Sequence, residues 1–226
     1  MLNINVPKRL NMDWENILFL NYKVNYDSIR RLVPSKLMLR SYNGEYYITL
    51  VLFNLKYPSV LGLHTKLELP EFNIRTYVKY KNISAIYFLT LDIHNQFLPL
   101  LINPIFKLKY FNNYIKYNVD DNTKIIAQWE NHEYFHKVFK LQYSNGSILR
   151  KNGMSKFITD NYFYLNSEYE NVFCNTVYHD EWLLHDVNIL YLNGISIFGD
   201  LTKPNSAFYC PAMKNVKTDL PNRVKT

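Results

Sequence analysis

The chain has 226 residues, 48% of them hydrophobic and 16% aromatic, with 6 glycines; this suits one substantial core and a single domain spanning residues 1–226. The net charge of +7 comes from scattered lysines and arginines, so a solvated basic surface is expected and a nucleic-acid partner is not. Cys174 and Cys210 form no C-x-x-C pair, which excludes a disulfide framework or a cysteine-rich zinc site.

Taken in chain order, the N-terminal MLNINVPKRL lacks an apolar signal core, and a soluble protein of a reducing cytoplasm is the expectation. Trp14 to Tyr22 reads as a first strand. Tyr26 to Leu32 reads as a short helix that Asn25 or Asp27 can cap, with Pro34 after its end. Ser41 to Leu55 predicts a hairpin turning at Asn43-Gly44, and Pro58 to Pro70 a loop over the sheet. Phe72 to Tyr80 and Ala85 to Asp92 are two more strands joined at Lys81-Asn82. Asn95 to Phe106 suits a helix shortened or kinked by Pro99 and Pro104. Its apolar stretch, Phe97 to Ile102, is far too short to span a bilayer, so no membrane partner is expected.

Residues 113–119, 124–130 and 135–144 alternate like strands, the last closed by Asn145-Gly146. Ser155 to Tyr164 has helical apolar spacing at Phe157, Ile158 and Phe163. Asn175 to Asp180 and Val187 to Leu192 complete the strand set. Many strands and few helices predict a mainly β (α+β) protein whose antiparallel sheet closes into a barrel with flanking helices. Closure removes exposed edges and can leave an interior cavity.

The segment LPEFNIRTYV, Leu69 to Val78, carries the most information. It alternates strictly, with Glu71, Asn73, Arg75 and Tyr77 on one side and Phe72, Ile74, Thr76 and Val78 on the other. An acid, an amide, a guanidinium and a phenol in one row are costly to bury unless they meet each other or a ligand. The row is either a wet face or the polar wall of a pocket. Period alone favours the wet face, because antiparallel sheets commonly show water one side.

With its E-F-N-I-R-T-Y-V strand at Glu71 to Val78, the chain resembles the YqjF-like family, an uncharacterised bacterial family of the acetoacetate decarboxylase-like superfamily. The resemblance extends from Trp14 through Leu18–Val24, Arg31–Leu39, Tyr87–Ile93 and His179–Leu184 to Ala207–Val216. It implies a cone-like barrel with a pocket inside; it does not imply a reaction. There are departures. Glu181 and Leu183 stand where the family usually has prolines around Trp182. Lys109 replaces the proline of a Leu-Pro-Tyr segment. Phe208, Cys210 and Ala212 replace a histidine, a serine and a glycine.

Three constellations compete for chemistry. In the first, Arg75 offers a planar fork to a carboxylate, with Glu71, Asn73 and Tyr77 beside it. A strand carrying His179 and Trp182 forms the opposite wall; a structural, hydrogen-bonded role is the competing reading for His179. The second is a Schiff-base lysine, which acetoacetate decarboxylases carry in a Pro-Lys-Lys motif. That motif does not occur here, and Lys107 and Lys109 read as solvated. The third is the H-E-x-x-H match at His132, Glu133 and His136, which on a helix would bind zinc. Its neighbourhood reads as strand, where the two histidines would lie roughly 13 Å apart. Glu168 or Glu170 could serve as third ligand only if a helix is assumed. No metal and no cofactor are expected.

The resulting reading is a protein that binds a small organic carboxylate or carbonyl compound inside a β-barrel. Arg75, Asn73, Tyr77 and Trp182 would bind it, and His179 or Glu71 would act as general acid–base in a lyase- or isomerase-like reaction. The alternative is a non-catalytic small-molecule-binding protein. A homo-oligomer is compatible with either.

Overall fold

Strand β5 (Glu68–Tyr80) lies at the centre of the molecule, with apolar clusters against both of its faces. The computed structural model describes residues 9–119, 125–131, 137–193 and 203–225. Ahead of β5 come β1 (Arg9–Val24), α1 (Tyr26–Arg30), β2 (Met38–Leu39), β3 (Tyr46–Val60) and β4 (Leu63–His64). After it come β6 (Ile83–Ile93), α2 (Leu98–Phe106), β7 (Tyr110–Asn112), β8 (Tyr114–Val119), β9 (Ile125–Asn131) and β10 (Lys137–Ile148). The chain continues with α3 (Gly153–Thr159), β11 (Phe163–Glu168), β12 (Asn171–Tyr178), β13 (His185–Asn193), β14 (Ser206–Asp219) and β15 (Asn222–Arg223).

The strand pairings close on themselves. From β1 the path runs through β3, β5, β6, β11, β12 and β14 and returns to β1. The expected barrel is therefore present. It is mostly antiparallel, with β6 pairing β11 and β7 in parallel. From β14 an arm of β13, β10, β9 and β8 leaves the ring and brings β8 against the outside of β3 and β5.

Two cores result. The inner one holds Phe19, Val51, Phe53, Tyr77 and Leu91 from the barrel, together with Ile102 and Phe106 of α2 and Ile158 of α3. The outer one packs Leu18, Leu50, Phe72 and Ile74 against Ile115, Tyr117, Leu141 and Tyr143 of the arm. This is why the β5 row is not a wet face. The arm covers the apolar side and the barrel encloses the polar side, leaving Glu71 and Asn73 each 3% exposed and Tyr77 0%.

Bulges change which side chains face in. On β1, Met12 and Trp14 face inward, and then Ile17 and Phe19 do, because the β1–β3 register shifts between Glu15 and Leu18. Asn16 sits there with φ 56°; its carbonyl accepts from Tyr117 Oη at 2.6 Å and its Oδ1 from Tyr209 Oη at 2.7 Å. β6 shifts in the same way between Phe88 and Thr90, opposite Arg75 and Ile74.

Several local expectations are corrected. Asn43 and Gly44 do turn, with φ 50° and 79°, but they close only a Tyr42↔Glu45 bridge, because β2 pairs β5 instead of β3. Residues 58–70 are mostly strand: β3 runs to Val60 and pairs β5 as far as Lys56↔Glu68. Asn145-Gly146 does not end β10, which continues to Ile148. The helix at 155–164 stops at Thr159, and Tyr164 belongs to β11. Ala207 to Val216 is strand, within β14. Asn25 is the cap of α1, accepting from Asp27 N at 2.8 Å. No helix among the described residues is long and apolar enough to cross a membrane.

Candidate functional site

The barrel encloses a cavity of about 70 Å³, which admits on the order of five water-sized groups. Its wall is largely apolar, with Met12, Phe19, Val51, Phe53 and Leu91 among the lining residues. The polar part comes first from β5, where Glu71, Asn73 and Arg75 all reach it. Few, placed polar groups in an apolar concavity are the usual composition of a small-molecule site.

Glu71 forms one end. Tyr110 Oη donates to its Oε2 at 2.8 Å and Asn73 Nδ2 to its Oε1 at 3.1 Å. Tyr110 is brought there by β7, which pairs Leu91 of β6 with Tyr110 in parallel. Asn103 of α2 then fixes the Tyr110 backbone, donating to its carbonyl at 2.9 Å and accepting from its N–H at 2.8 Å. Burial pushes the Glu71 carboxyl up from an ordinary 4.5 to about 7; the bonds from Tyr110 and Asn73 restrain the rise, and Asp92 adds to it. Glu71 therefore exchanges its proton near neutrality.

Arg75 forms the other end, held by the last turn of α3. Its Nη2 donates to Ile158 O at 3.2 Å, a carbonyl left over at the helix C-terminus, where the backbone dipoles favour a cation. The guanidinium also lies over the Phe19 ring, 5.3 Å from its centroid. Among the described residues no carboxylate pairs with it, and its Nε is buried without a partner. Asn73 Oδ1 and Trp14 Nε1 are likewise buried and unpaired. With Tyr164 Oη, four buried polar atoms without a partner belong to residues lining one cavity and call for an explanation; a ligand oxygen that accepts from Arg75 Nε and Trp14 Nε1 supplies one for those two donors.

His179 and Trp182 complete the wall from the connection between β12 and β13, which is irregular instead of the strand expected. Trp182 is placed firmly: its Nε1 donates to Thr159 O at 2.9 Å, and it stacks on Trp14 at 6.2 Å and 13°. His179 sits among Trp182, Tyr162 and Trp14, with ring centroids at 4.8, 4.8 and 6.2 Å. Its Nδ1 lies 2.7 Å from Asp180 O. A carbonyl can only accept, so Nδ1 carries the proton and the neutral ring keeps its lone pair on Nε2. Burial lowers the His179 pKa, Arg75 lowers it further, and the Asp180 bond resists.

Of the sequence-derived site residues, Glu71, Asn73, Arg75, His179 and Trp182 line this one cavity; Tyr77 does not. The Tyr77 hydroxyl is committed to Thr49 Oγ1 at 2.6 Å, and its ring packs on Phe157 at 4.6 Å. Lys107 and Lys109 also lie outside it, and Lys107 is paired with Glu168 at 3.2 Å. Phe208 and Cys210 are buried in the inner core without lining the cavity. The H-E-x-x-H residues lie outside the described residues; among the described ones no His, Cys, Asp and Glu cluster suits a metal. Sequence reading missed Tyr110, Thr159, Asn161 and Tyr164 as lining residues. Tyr110 and Tyr164 arrive through parallel pairing with β6, and Thr159 and Asn161 at the end of α3; no local pattern announces these positions.

The closed barrel has the acetoacetate decarboxylase-like fold, as its likeness to solved structures shows. Acetoacetate decarboxylase of Legionella pneumophila matches with a TM-score of 0.65 at 10% identity, covering 96% of this chain and 87% of that one. The enduracididine biosynthesis enzyme MppR, complexed with pyruvate, matches with a TM-score of 0.63 at 10% identity, covering 97% and 91%. At such identity the likeness is one of fold. The family is settled by sequence: the chain belongs to the DUF2071 family of uncharacterized conserved proteins, whose model matches residues 11–214. It is similar to the uncharacterized protein YqjF of Bacillus subtilis (strain 168), 27% identical over 214 residues, 90% of this chain and 88% of that one.

Proposed function

We propose that the inner cavity binds a small carboxylate that also carries a carbonyl, and that Arg75 is its anion partner. The observation that carries this reading is the half-buried Arg75, with no carboxylate against its guanidinium among the described residues and its buried Nε unpaired. A planar carboxylate matches that fork. The pyruvate complex of MppR, a protein of the same fold, supports the ligand class. Trp14 Nε1 supplies a further donor, for the carbonyl oxygen, and Trp182 closes the apolar side.

The chemistry that best fits is proton transfer next to the carbonyl, a lyase- or isomerase-like step. Glu71, with its pKa about 7, is suited to take and return that proton near neutral pH, and His179 Nε2 is the second base. No lysine lines the inner cavity among the described residues, so the reading does not run through a Schiff base. A binding protein without chemistry needs Arg75 and cavity shape alone.

The test is pyruvate binding and exchange of its methyl protons with D₂O, followed by NMR. Binding lost in Arg75→Ala, with exchange lost in Glu71→Gln while binding persists, supports the enzyme. Arg75-dependent binding without exchange identifies a binding protein. Binding that is indifferent to Arg75→Ala overturns the site.

A further inference from the structure

A second, larger cavity of about 310 Å³ lies outside the first, bounded by β6, by the segment from Lys107 to Phe111, and by β11 from Asn166 to Glu168. It exists because the barrel wall opens there. β6 meets β11 at the single pair Ile86↔Tyr164, and β7 takes up the same edge only from Leu91. Between them Tyr87 to Thr90 have no ladder partner on that edge among the described residues, and the bulge at Leu89 falls within this window.

The two cavities share Phe88, Leu91 and Leu108. The partition between them is thus made of apolar side chains. Leu108 stands in the loop that leaves α2, directly after Lys107 with its left-handed φ of 54°, where a rotamer change breaks no strand pairing. The outer wall is lined by Leu32, Ile74, Tyr87, Leu89 and Phe111. Its polar groups include Asn166, whose Nδ2 is buried and unpaired, and the Lys107–Glu168 ion pair.

Resting on the carboxylate reading of the inner cavity, we propose that the two cavities are the head and tail compartments of one site, and that the ligand is an oxo acid with an apolar chain. The carboxylate and carbonyl occupy the inner cavity at Arg75. That space holds little more than such a head group, so the chain leaves past Leu108 and Phe88 and lies against Tyr87, Leu89 and Phe111. A polar substituent on the chain meets Asn166 Nδ2.

Calorimetric titration with 2-oxo acids from pyruvate to 2-oxooctanoate tests this on the full chain. Each buried methylene raises affinity about three- to four-fold, so the eight-carbon acid, with five more methylenes, binds several hundred-fold (~240- to 1,000-fold) tighter than pyruvate when its whole chain is buried. Leu89→Trp on β6 and Ser167→Trp on β11 each fill the outer cavity from a different strand, and the ratio falls towards one in whichever variant folds. A wild-type ratio near one, with pyruvate still bound through Arg75, overturns the tail compartment and leaves the head site standing. A steep ratio that survives both fillings places the chain elsewhere and overturns it too. Failure of every acid to bind the wild type overturns the head reading along with it.

Discussion

Glu71 and Arg75 project from one strand into one cavity, yet they do not pair. Their spacing, i and i+4 on a strand, sets their Cα atoms roughly 13 Å apart, and each side chain is engaged locally, Glu71 by Tyr110 and Asn73 and Arg75 by Ile158 O and the Phe19 face. The acid is left with burial as its dominant influence, and its pKa rises to about 7. An ion pair would have driven it the other way.

That rise is a statement about stability. Between an ordinary 4.5 and about 7 the unfolded chain releases the Glu71 proton while the folded one keeps it. Stability from this residue is greatest below that window, falls as pH rises through it, and levels off above, by about 3 kcal/mol in all. His179, with a lowered pKa, runs oppositely, losing stability as pH falls. Subtracting the Glu71→Gln curve from the wild type in urea unfolding from pH 4 to 8 isolates the acid. A flat difference contradicts its burial as a titrating group.

Tyr110→Phe removes the donor to Glu71 Oε2 but leaves the ring. The carboxylate loses a hydrogen bond that favours its charged form, so the pKa moves above 7. A charge-assisted bond is worth about 1.5–3 kcal/mol, and the loss shows chiefly above neutral pH. Carbon-13 NMR of the Glu71 carboxyl reads the midpoint directly; an unchanged or lower one contradicts the assignment.

Arg75→Met is expected to fold. Truncating one partner of a buried ion pair strands the other charge and costs 3–5 kcal/mol, but no carboxylate of the described residues depends on Arg75. The cost is the bond to Ile158 O and the contact with Phe19, about 1–2 kcal/mol. Denaturant unfolding decides; a loss of 4 kcal/mol or more would reveal a carboxylate relying on it.

The sequence carried the strand set, the alternation of β5 and the family, because these rest on local period and motif. It could not say which face of β5 was wet, since that depends on the arm from β8 to β13, folding back from far along the chain. Parity also misleads on β1. Strict alternation sends Trp14 and Ile17 to opposite sides, whereas the bulge at Asn16 turns both inward. Tyr77 shows the converse. It shares the period of Arg75 but sits one pleat further along, where α3 and Thr49 absorb its hydroxyl. Tyr110 was legible only as part of a short segment after α2, because its place beside Glu71 is created by parallel pairing and by Asn103.

Trp182 ties the connection between β12 and β13 to α3 and to β1. It anchors to Thr159 O, next to the Ile158 carbonyl that holds Arg75, and stacks on Trp14. Trp182→Phe keeps a ring but removes one of two donors to Thr159 O, which still accepts from Asn161 N at 2.9 Å, costing about 0.5–1.5 kcal/mol; Trp182→Ala opens a cavity as well and costs about 3–5 kcal/mol. Thermal unfolding of the two variants should rank them in that order. Equal losses would mean that the hydrogen bond, and not the packing, holds the connection.

Arg75 and His179 are coupled through space without touching. Burial is the larger cause of the lowered His179 pKa and the Arg75 charge the next that lowers it. Removing that charge in Arg75→Met should move the His179 midpoint up, while Asp180 still fixes Nδ1. Binding a carboxylate at Arg75 should shift it in the same direction by offsetting the same charge. Nitrogen-15 NMR of the imidazole follows both. A midpoint that rises in the variant but not with ligand places the carboxylate away from Arg75; one that moves in neither case shows that burial alone sets the histidine.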